Sequence, residues 1–560
     1  MIASARRLPT WWHWDATSLV WQTALLVVVW SYVVGLHVTN DGLWYQGDAP
    51  RHAANGLFWR DFLSRFPINP IDFAVSYYLR YPVISPSSYP PVFYLLEAAS
   101  FSVFGVTPFA AKALVLLFTL AGGGYVMAWL RRWIAPEAGW AASLVVLQPG
   151  VIGWSHAIML NIPSMTLVVA SLYHARSWIE RSTSRDLKLS IMFSVLGVLT
   201  YVHTILVLPI ALAWLVMEKR WTIRGNTPLI ASVAVAATLV GSCVLVMSHW
   251  SPVHLSLVFP EAHQLFEIDR WLFYGSHLPR VANGSIVGLA IAGVLLGVVD
   301  RRFRREVMML MTWFAIGYLA LSYLMARDSR YLLPLIPPLI GLAVIGLSAV
   351  ASFLGDARRI PVVYAAVLGL LLIHVAAAPR VYVTRVDGFD EIIAFVQKEA
   401  PHERVFYDGH YNGVFAFYML AGDPQFERSM ARGSKLLYPS AIDPGWHLVE
   451  RVGSPMDVVS VLRQECGCRW VLVERKIDVT SIGLKAVHYL REALRGQDFE
   501  YVTSFPIRVV IDSGPPPYQT EEIQVDAYRL LGPVNPVEEV YLHMPILGDG
   551  VVIHGMPIER

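Results

Sequence analysis

Charge is the first scarcity in this chain. Lysine, arginine, aspartate and glutamate make up 15% of the 560 residues, and apolar residues make up 55%. A soluble chain carries about 25% charge, so a wholly soluble protein is excluded. Mean hydropathy is +0.48. The charges nearly cancel, at +2, so nothing in them draws a nucleic acid or an acidic partner. Cysteine is almost absent, with three residues. Cys243 lies in an apolar run and reads as a small core residue. Cys466 and Cys468 are one residue apart. A bond across that spacing is strained and no second pair completes a zinc site, so they read as a turn leading into a strand. Internal repeats, low-complexity tracts and duplicated halves are also missing.

Long apolar runs are abundant. Thr17–Leu36 spans about 20 residues, enough for roughly 30 Å of hydrocarbon. No small-residue cleavage site follows, so it reads as an anchor that is kept. Further runs are Phe109–Leu130, Gly139–His156, Pro163–Ile179, Leu189–Thr200, Ile205–Met217, Pro228–Met247, Ser285–Val299, Val307–Met325, Tyr331–Leu354 and Pro361–Ala378, about eleven spans in all. Leu189–Met217 reads as one kinked helix or two short ones. Pro91–Phe104 opens with Tyr89-Pro90-Pro91 and reads as a helix lying on the outer membrane surface.

Arginine clusters orient these runs. Arg6–Arg7, Arg131–Arg132, Arg176 to Lys188, Lys219 to Arg224, Arg301 to Arg305 and Arg358–Arg359 fall on one side. The opposite loops hold basic residues only sparsely. This is the positive-inside pattern, with a cytoplasmic N-terminus. An odd number of spans puts everything after Arg380 outside.

That tail loses the apolar runs. Phe389–Glu399 and Met456–Glu465 read as helices; Arg404–Tyr407, Trp470–Glu474, Glu500–Phe505 and Glu522–Leu530 read as strands. The expected fold is a polytopic α-helical membrane protein with a C-terminal extracytoplasmic α/β domain. The expected division is residues 1–379, with a first outer loop at 38–108, and residues 380–560.

The chemistry-bearing stretch is Gly47 to Leu63, just past the first span on its outer side. Asp48 and Arg51 lie three residues apart, on one face of a helix. The carboxylate can accept a proton and the guanidinium can hold an anion. The other reading is a helix cap, with Asp48 ahead of Pro50 at a first-turn position. Asp41, beside Gly42, reads as a turn residue. The outer loop His249–Gly284 interleaves Glu261, His263, Glu267, Asp269 and Arg270 with Phe266, Trp271, Phe273 and Tyr274. It suits a sugar or lipid head group and an interfacial anchor equally. The tail carries no nucleophile, phosphate loop or metal spacing.

Four ordered patterns carry a resemblance. They are Asp48-x-x-Arg51-His52-Ala53; Tyr89-Pro90-Pro91-x-x-Tyr94 followed by Phe104 to Ala111; Met159-Leu160-Asn161-Ile162-Pro163; and Arg330-Tyr331-Leu332-Leu333-Pro334-Leu335-Ile336-Pro337. Over roughly Thr17 to Ala378 the chain resembles the C-type integral-membrane glycosyltransferases, glycosyltransferase family 39 in particular. That branch holds the protein O-mannosyltransferases and the aminoarabinose transferases.

The resemblance implies transfer of a sugar from a polyprenyl-phosphate donor to a hydroxyl acceptor on a lipid, glycan or protein, at the outer face of the plasma membrane. It implies Asp48 as the base, and Arg330 with Arg51 on the donor phosphate. His52, Asn161, His203 and Tyr331 are supporting candidates.

The chain also departs from its relatives. Asn161 stands where many carry an acid, which weakens the case for a divalent metal. His203 stands in a region where the aminoarabinose branch has a lysine. The Glu-Lys pair before the surface helix is missing, and Glu97 lies inside that helix instead. Aminoarabinose is therefore disfavoured as the sugar. The alternatives are a transporter or flippase of lipid-linked sugars, and a sensor anchored by its spans.

The arginine pattern makes a direct prediction. A reporter fused after Arg380 will be extracytoplasmic and one fused after Arg305 cytoplasmic. A cytoplasmic tail would overturn both the orientation and the outer placement of Asp48.

Overall fold

Proline and capping residues set where the helices begin. In the computed structural model, α1 is Asp15–His37, α2 Asp48–Arg65, α3 Pro70–Arg80, α4 Val92–Phe104 and α5 Pro108–Trp133. Thr107 starts α5 by accepting from the Ala110 N–H at 3.1 Å, with Pro108 in the first turn. Asn69 does the same for α3, ahead of Pro70. The structure describes residues 15–37, 42, 47–85, 88–218, scattered positions from 237 to 245, 262–353, 356–381, 383–441, 447–476, 484–511, 519–535, 540–544 and 551–555. Asp41, Cys243, Glu261 and most of the expected span Pro228–Met247 lie outside the described residues.

Five described helices are long and apolar enough to cross a membrane: Ser18–Leu36, Pro108–Trp133, Arg304–Tyr323, Ser329–Ser352 and Ile360–Arg380. A sixth is formed if Ile268–Val281 and Gly284–Val299, bent by 115°, count as one. Fewer such helices appear than apolar runs, and the breaks explain part of the gap. Gly139–His156 falls in three short pieces, Pro136–Ala142, Ser143–Val146 and Pro149–Ser155, and Pro149, at the start of the third, cannot continue the ladder from the second. Leu189–Met217 is two elements, parted at Thr200 and Tyr201. Gly293 and Gly346 let the Gly284–Val299 and Ile336–Ser352 helices touch backbone to backbone.

The expected surface helix is α4. At 13 residues it is about 20 Å long, too short to cross. It buries Phe93, Tyr94, Glu97 and Phe101 and exposes Leu95, Leu96, Val103 and Phe104. Its buried face packs on α2, where Gly56 makes room for the Glu97 carboxyl.

The tail builds a six-stranded sheet in the order β1-β7-β8-β6-β2-β3. The strands are β1 Arg385–Asp387, β2 Arg404–Asp408, β3 Ser429–Arg432, β6 Trp470–Glu474, β7 Phe499–Ile511 and β8 Gln519–Leu530. The short pairs β4 Ser440–Ala441 with β5 His447–Leu448, and β9 Val540–His543 with β10 Val552–Gly555, stand apart. β6, β2 and β3 run parallel, and the others pair antiparallel. β2 and β6 are buried along their whole length, as parallel strands covered on both faces must be. The expected tail strands and helices are all present, and the helix at 456–465 runs from Pro455 through a π-turn to Cys466.

The cysteine reading needs correction. The turn is there, but Cys466 and Cys468 are joined as a disulfide. Gly467 adopts φ 63° between them and leaves the Cα atoms 5.1 Å apart, within bridging range.

The segment that carries α2 and α3 lies between the two parts. Tyr81 Oη donates to Asp423 Oδ2 at 2.5 Å, and Arg80 donates to the Arg428 carbonyl at 3.2 Å. Arg65 lies over the Phe426 ring at 4.3 Å. The Asn412–Ala421 helix packs on α2, where a Cβ on Gly413 would stand 3.4 Å from Pro50 Cβ. Glu474 accepts from the His410 and Tyr411 N–H groups at 2.9 and 2.7 Å and so holds the start of that helix.

Tyr81→Phe removes a buried donor to a carboxylate. It will lower stability by about 1–3 kcal/mol, read as a lower Tm of the purified full chain. An unchanged Tm would show that the docking does not depend on this bond.

Candidate active site

Asp48 opens α2, but it does not cap it. Gly47 occupies the cap position, and no side-chain cap bond forms. The carboxylate turns to arginines instead. Arg330 Nη1 and Nη2 donate to Asp48 Oδ2 at 3.3 and 3.2 Å. Arg51, one turn along α2, brings Nη1 within 3.6 Å of Oδ1.

Arg330 is held from behind. It lies in the tight turn Ser329–Leu335 that feeds the Ile336–Ser352 helix. Asp328 caps that turn, accepting from the Arg330 N–H at 3.0 Å. Its Oδ2 also lies 3.2 Å from Arg330 Nε. Charges therefore alternate along a line, Asp328, Arg330, Asp48, Arg51. The Asp48, Arg330 and Arg51 side chains are 23%, 12% and 36% exposed, so a ligand can reach the line.

Burial pushes the Asp48 carboxyl up. Arg51, His52 and Arg330 pull it down further, and the balance leaves it below the usual carboxylate value. It is ionised at neutral pH. His52 is buried, which pushes its pKa down to about 3, so the ring is neutral. Its Nδ1 shares a 2.7 Å hydrogen bond with Tyr94 Oη.

Aromatic rings wall the line. His52 meets Tyr89 at 5.0 Å, Tyr89 faces Tyr201 at 6.4 Å, and Tyr201 meets His203 at 4.5 Å. His203 meets Tyr331 at 4.7 Å. The Arg330 guanidinium lies 5.6 Å from the rings of both Trp154 and Tyr331. Such a cluster combines flat apolar faces with hydroxyl and ring nitrogen groups, as sugar binding requires.

The structure thus gathers Asp48, Arg51, His52, His203, Arg330 and Tyr331. Asn161 is buried at the start of the Asn161–Arg181 helix, which packs on the Arg330 turn. Among the described residues no hydrogen bond links its side chain to the Asp48–Arg330 pair. Glu97 contacts α2 at Gly56, eight residues and about 12 Å along from Asp48. In the outer loop, Arg270 is buried and donates to the Gln264 and Leu324 carbonyls at 3.0 and 2.8 Å, while Glu267 and Asp269 are exposed. That arginine fastens a loop and leaves the site alone.

Two participants escaped the sequence reading. Asp328 stood two residues before Arg330, and an acid so close to a buried guanidinium was a usable signal. Trp154 sat inside an apolar run, where nothing distinguishes a wall residue from a core residue. A divalent metal does not fit these residues. Both carboxylates of the line are engaged by arginines, and among the described residues no three His, Cys, Asp or Glu side chains converge.

Residues 88–246 match the sequence family described as dolichyl-phosphate-mannose-protein mannosyltransferase. No curated protein sequence matches the chain. The fold is similar to that of ArnT from Cupriavidus metallidurans in the apo state, at 15% identity and TM-score 0.59, over 91% of this chain and 97% of that one. ArnT bound to undecaprenyl phosphate matches at 12% identity with the same TM-score and coverage. The archaeal oligosaccharyltransferase AglB from Archaeoglobus fulgidus, in complex with an inhibitory peptide and a dolichol-phosphate, matches at 12% identity and TM-score 0.53, over 82% of this chain and 70% of that one. The family match and the solved structures agree: the chain has the C-type membrane glycosyltransferase fold, with the mannosyltransferase family signature in residues 88–246.

Proposed function

We propose that this chain transfers a sugar from a polyprenyl-phosphate donor to a hydroxyl of a lipid, glycan or protein at the outer face of the plasma membrane. The observation that carries the reading is the Asp48–Arg330 pair, set in an aromatic wall within a fold whose solved relative binds undecaprenyl phosphate. In this reading residues 1–379 cross the membrane about eleven times from a cytoplasmic N-terminus, and residues 380–560 are extracytoplasmic.

The arriving phosphate competes with Asp48 for the Arg330 fork. A guanidinium offers two parallel donors to phosphate oxygens, and Arg51 adds a second cation. As the pair loosens, Asp48 loses the partner that holds its basicity down. It then takes the proton of the acceptor hydroxyl. The hydroxyl oxygen forms its bond to the anomeric carbon, and the carbon–oxygen bond to the phosphate breaks. Polyprenyl phosphate leaves with the bonding electrons, neutralised by the arginines. One displacement inverts the anomeric carbon. His52, neutral and buried, braces Tyr94 and Tyr89 and takes no part in the proton transfer.

Asp48→Asn keeps the volume and removes the base. With purified protein and a polyprenyl-phosphate sugar, transfer will fall by about 10²–10⁴-fold while the folded protein is retained. Near-normal transfer would sink Asp48 as the base.

Arg330→Lys keeps the charge and loses the fork. It will weaken use of the donor, raising its KM, without unfolding the chain. Equal kinetics in Arg330→Lys and Arg330→Ala, both at the wild-type rate, would reduce Arg330 to an interfacial anchor.

A further inference from the structure

The aromatic wall holds one polar side chain that the transfer chemistry leaves idle. His203 lies in the tight turn Val202–Leu206, just after the break at Thr200 and Tyr201. Neighbouring elements pin that turn. The Val92 N–H at the head of α4 donates to the Leu199 carbonyl at 3.0 Å, and the Tyr201 N–H donates to the Gly197 carbonyl at 2.7 Å. Thr204 Oγ1 shares a 2.9 Å hydrogen bond with Ser164 Oγ of the Asn161–Arg181 helix.

The imidazole itself is gripped between two tyrosines. Tyr201 meets it at 4.5 Å and 77°, and Tyr331 at 4.7 Å and 73°. The Arg330 guanidinium lies 5.6 Å from the same Tyr331 ring, and Arg330 reaches Asp48 at 3.2 Å. A continuous run of contacts therefore leads from His203 to the carboxylate.

Ring packing satisfies the flat faces of an imidazole but not its nitrogens. Nδ1 of His203 is buried with no hydrogen-bond partner, and among the described residues none reaches Nε2. The side chain as a whole is only partly buried, so Nε2 is at the open edge. An imidazole ordinarily titrates near about pH 6.5, so at neutral pH it mostly carries a single N–H. A proton on Nδ1 would be buried with nothing to donate to, so it belongs on Nε2. The wall thus presents one N–H donor, set between tyrosines and one ring away from Arg330.

We propose that His203 Nε2–H donates to a hydroxyl oxygen of the transferred sugar, and that His203 selects an uncharged sugar at this corner. The proposal rests on the reading of the Asp48–Arg330 line as the transfer site. An N–H donor favours an oxygen with a free lone pair. An ammonium group has none, and it would also meet the like charge of Arg330 behind Tyr331. The substrate class is a neutral sugar, and an amino sugar fits this corner poorly.

The test uses purified full chain in nanodiscs and binding by microscale thermophoresis. The probes are undecaprenyl phosphate without a sugar, the same carrier bearing mannose, glucose or galactose, and the carrier bearing aminoarabinose. The tightest of the three hexose lipids serves as reporter. His203→Phe keeps a flat ring and loses both nitrogens. It will weaken the reporter by about 3–10-fold, the range for one uncharged hydrogen bond, and leave the bare carrier within two-fold of wild type. His203→Gln, whose amide carries an N–H donor of similar reach, will recover most of that loss. The aminoarabinose lipid will bind wild type no more tightly than the bare carrier.

Reporter binding within two-fold of wild type in His203→Phe would overturn the proposal. An equal loss for the bare carrier would do the same, because it marks a ring that only supports the fold. A His203→Gln variant as weak as His203→Phe would remove the donor role. A wild type that gains nothing from any hexose, or gains as much from aminoarabinose, would remove the selectivity. If His203→Phe does not fold, His203→Leu decides on the same probes and limits. Failure of the underlying reading looks different. There the wild type would bind none of the lipids, the bare carrier included, and Arg330→Gln would change nothing.

Discussion

The ion pair between Asp48 and Arg330 is the constraint on which the rest depends. It joins residues 282 positions apart, so most of the membrane part must fold before it can form. Either charge alone at that depth would be expensive. Asp328 on one flank and Arg51 on the other make the line affordable, because each charge has an opposite neighbour.

The outer layer fixes where that pair sits. α2 carries Asp48 in its first turn, and α2 is gripped on two sides. On one side Gly56 admits the Glu97 carboxyl of α4. On the other, the Asn412–Ala421 helix lies against Pro50, with its own start held by Glu474. Farther out, Tyr81 to Asp423 and Arg65 over Phe426 bind the loop to the sheet domain. The first turn of α2 is thus positioned by the membrane part and the tail together.

The amphipathic and apolar patterns made much of this legible. Phe389–Glu399 and Trp470–Glu474 match their expected bounds, because a helical stripe and a buried parallel strand are local signals. Asp48, Arg51, Arg330 and Tyr331 were found through ordered patterns, and the structure gathers them. Among the described residues five helices, or six with the bent pair, are long and apolar enough to cross. Apolar runs interrupted at Pro149 and at the Thr200–Tyr201 break look continuous in hydropathy yet form short pieces. Trp154 was invisible for another reason. It meets the line only through Arg330, far along the chain, and no local spacing encodes that. The Cys466–Cys468 bond was misread because the left-handed turn at Gly467 that brings the two together is a matter of backbone conformation.

The seating of Gly413 on Pro50 bears on modularity. Cell-envelope enzymes are often pictured as a membrane engine carrying an exchangeable outer module. Here the outer module touches the engine within two residues of Asp48, with the gap of a single absent side chain between them. Swapping or trimming the tail would remove the surface on which Pro50 rests. The two parts can diversify only in step, because the first turn of α2 rests on both.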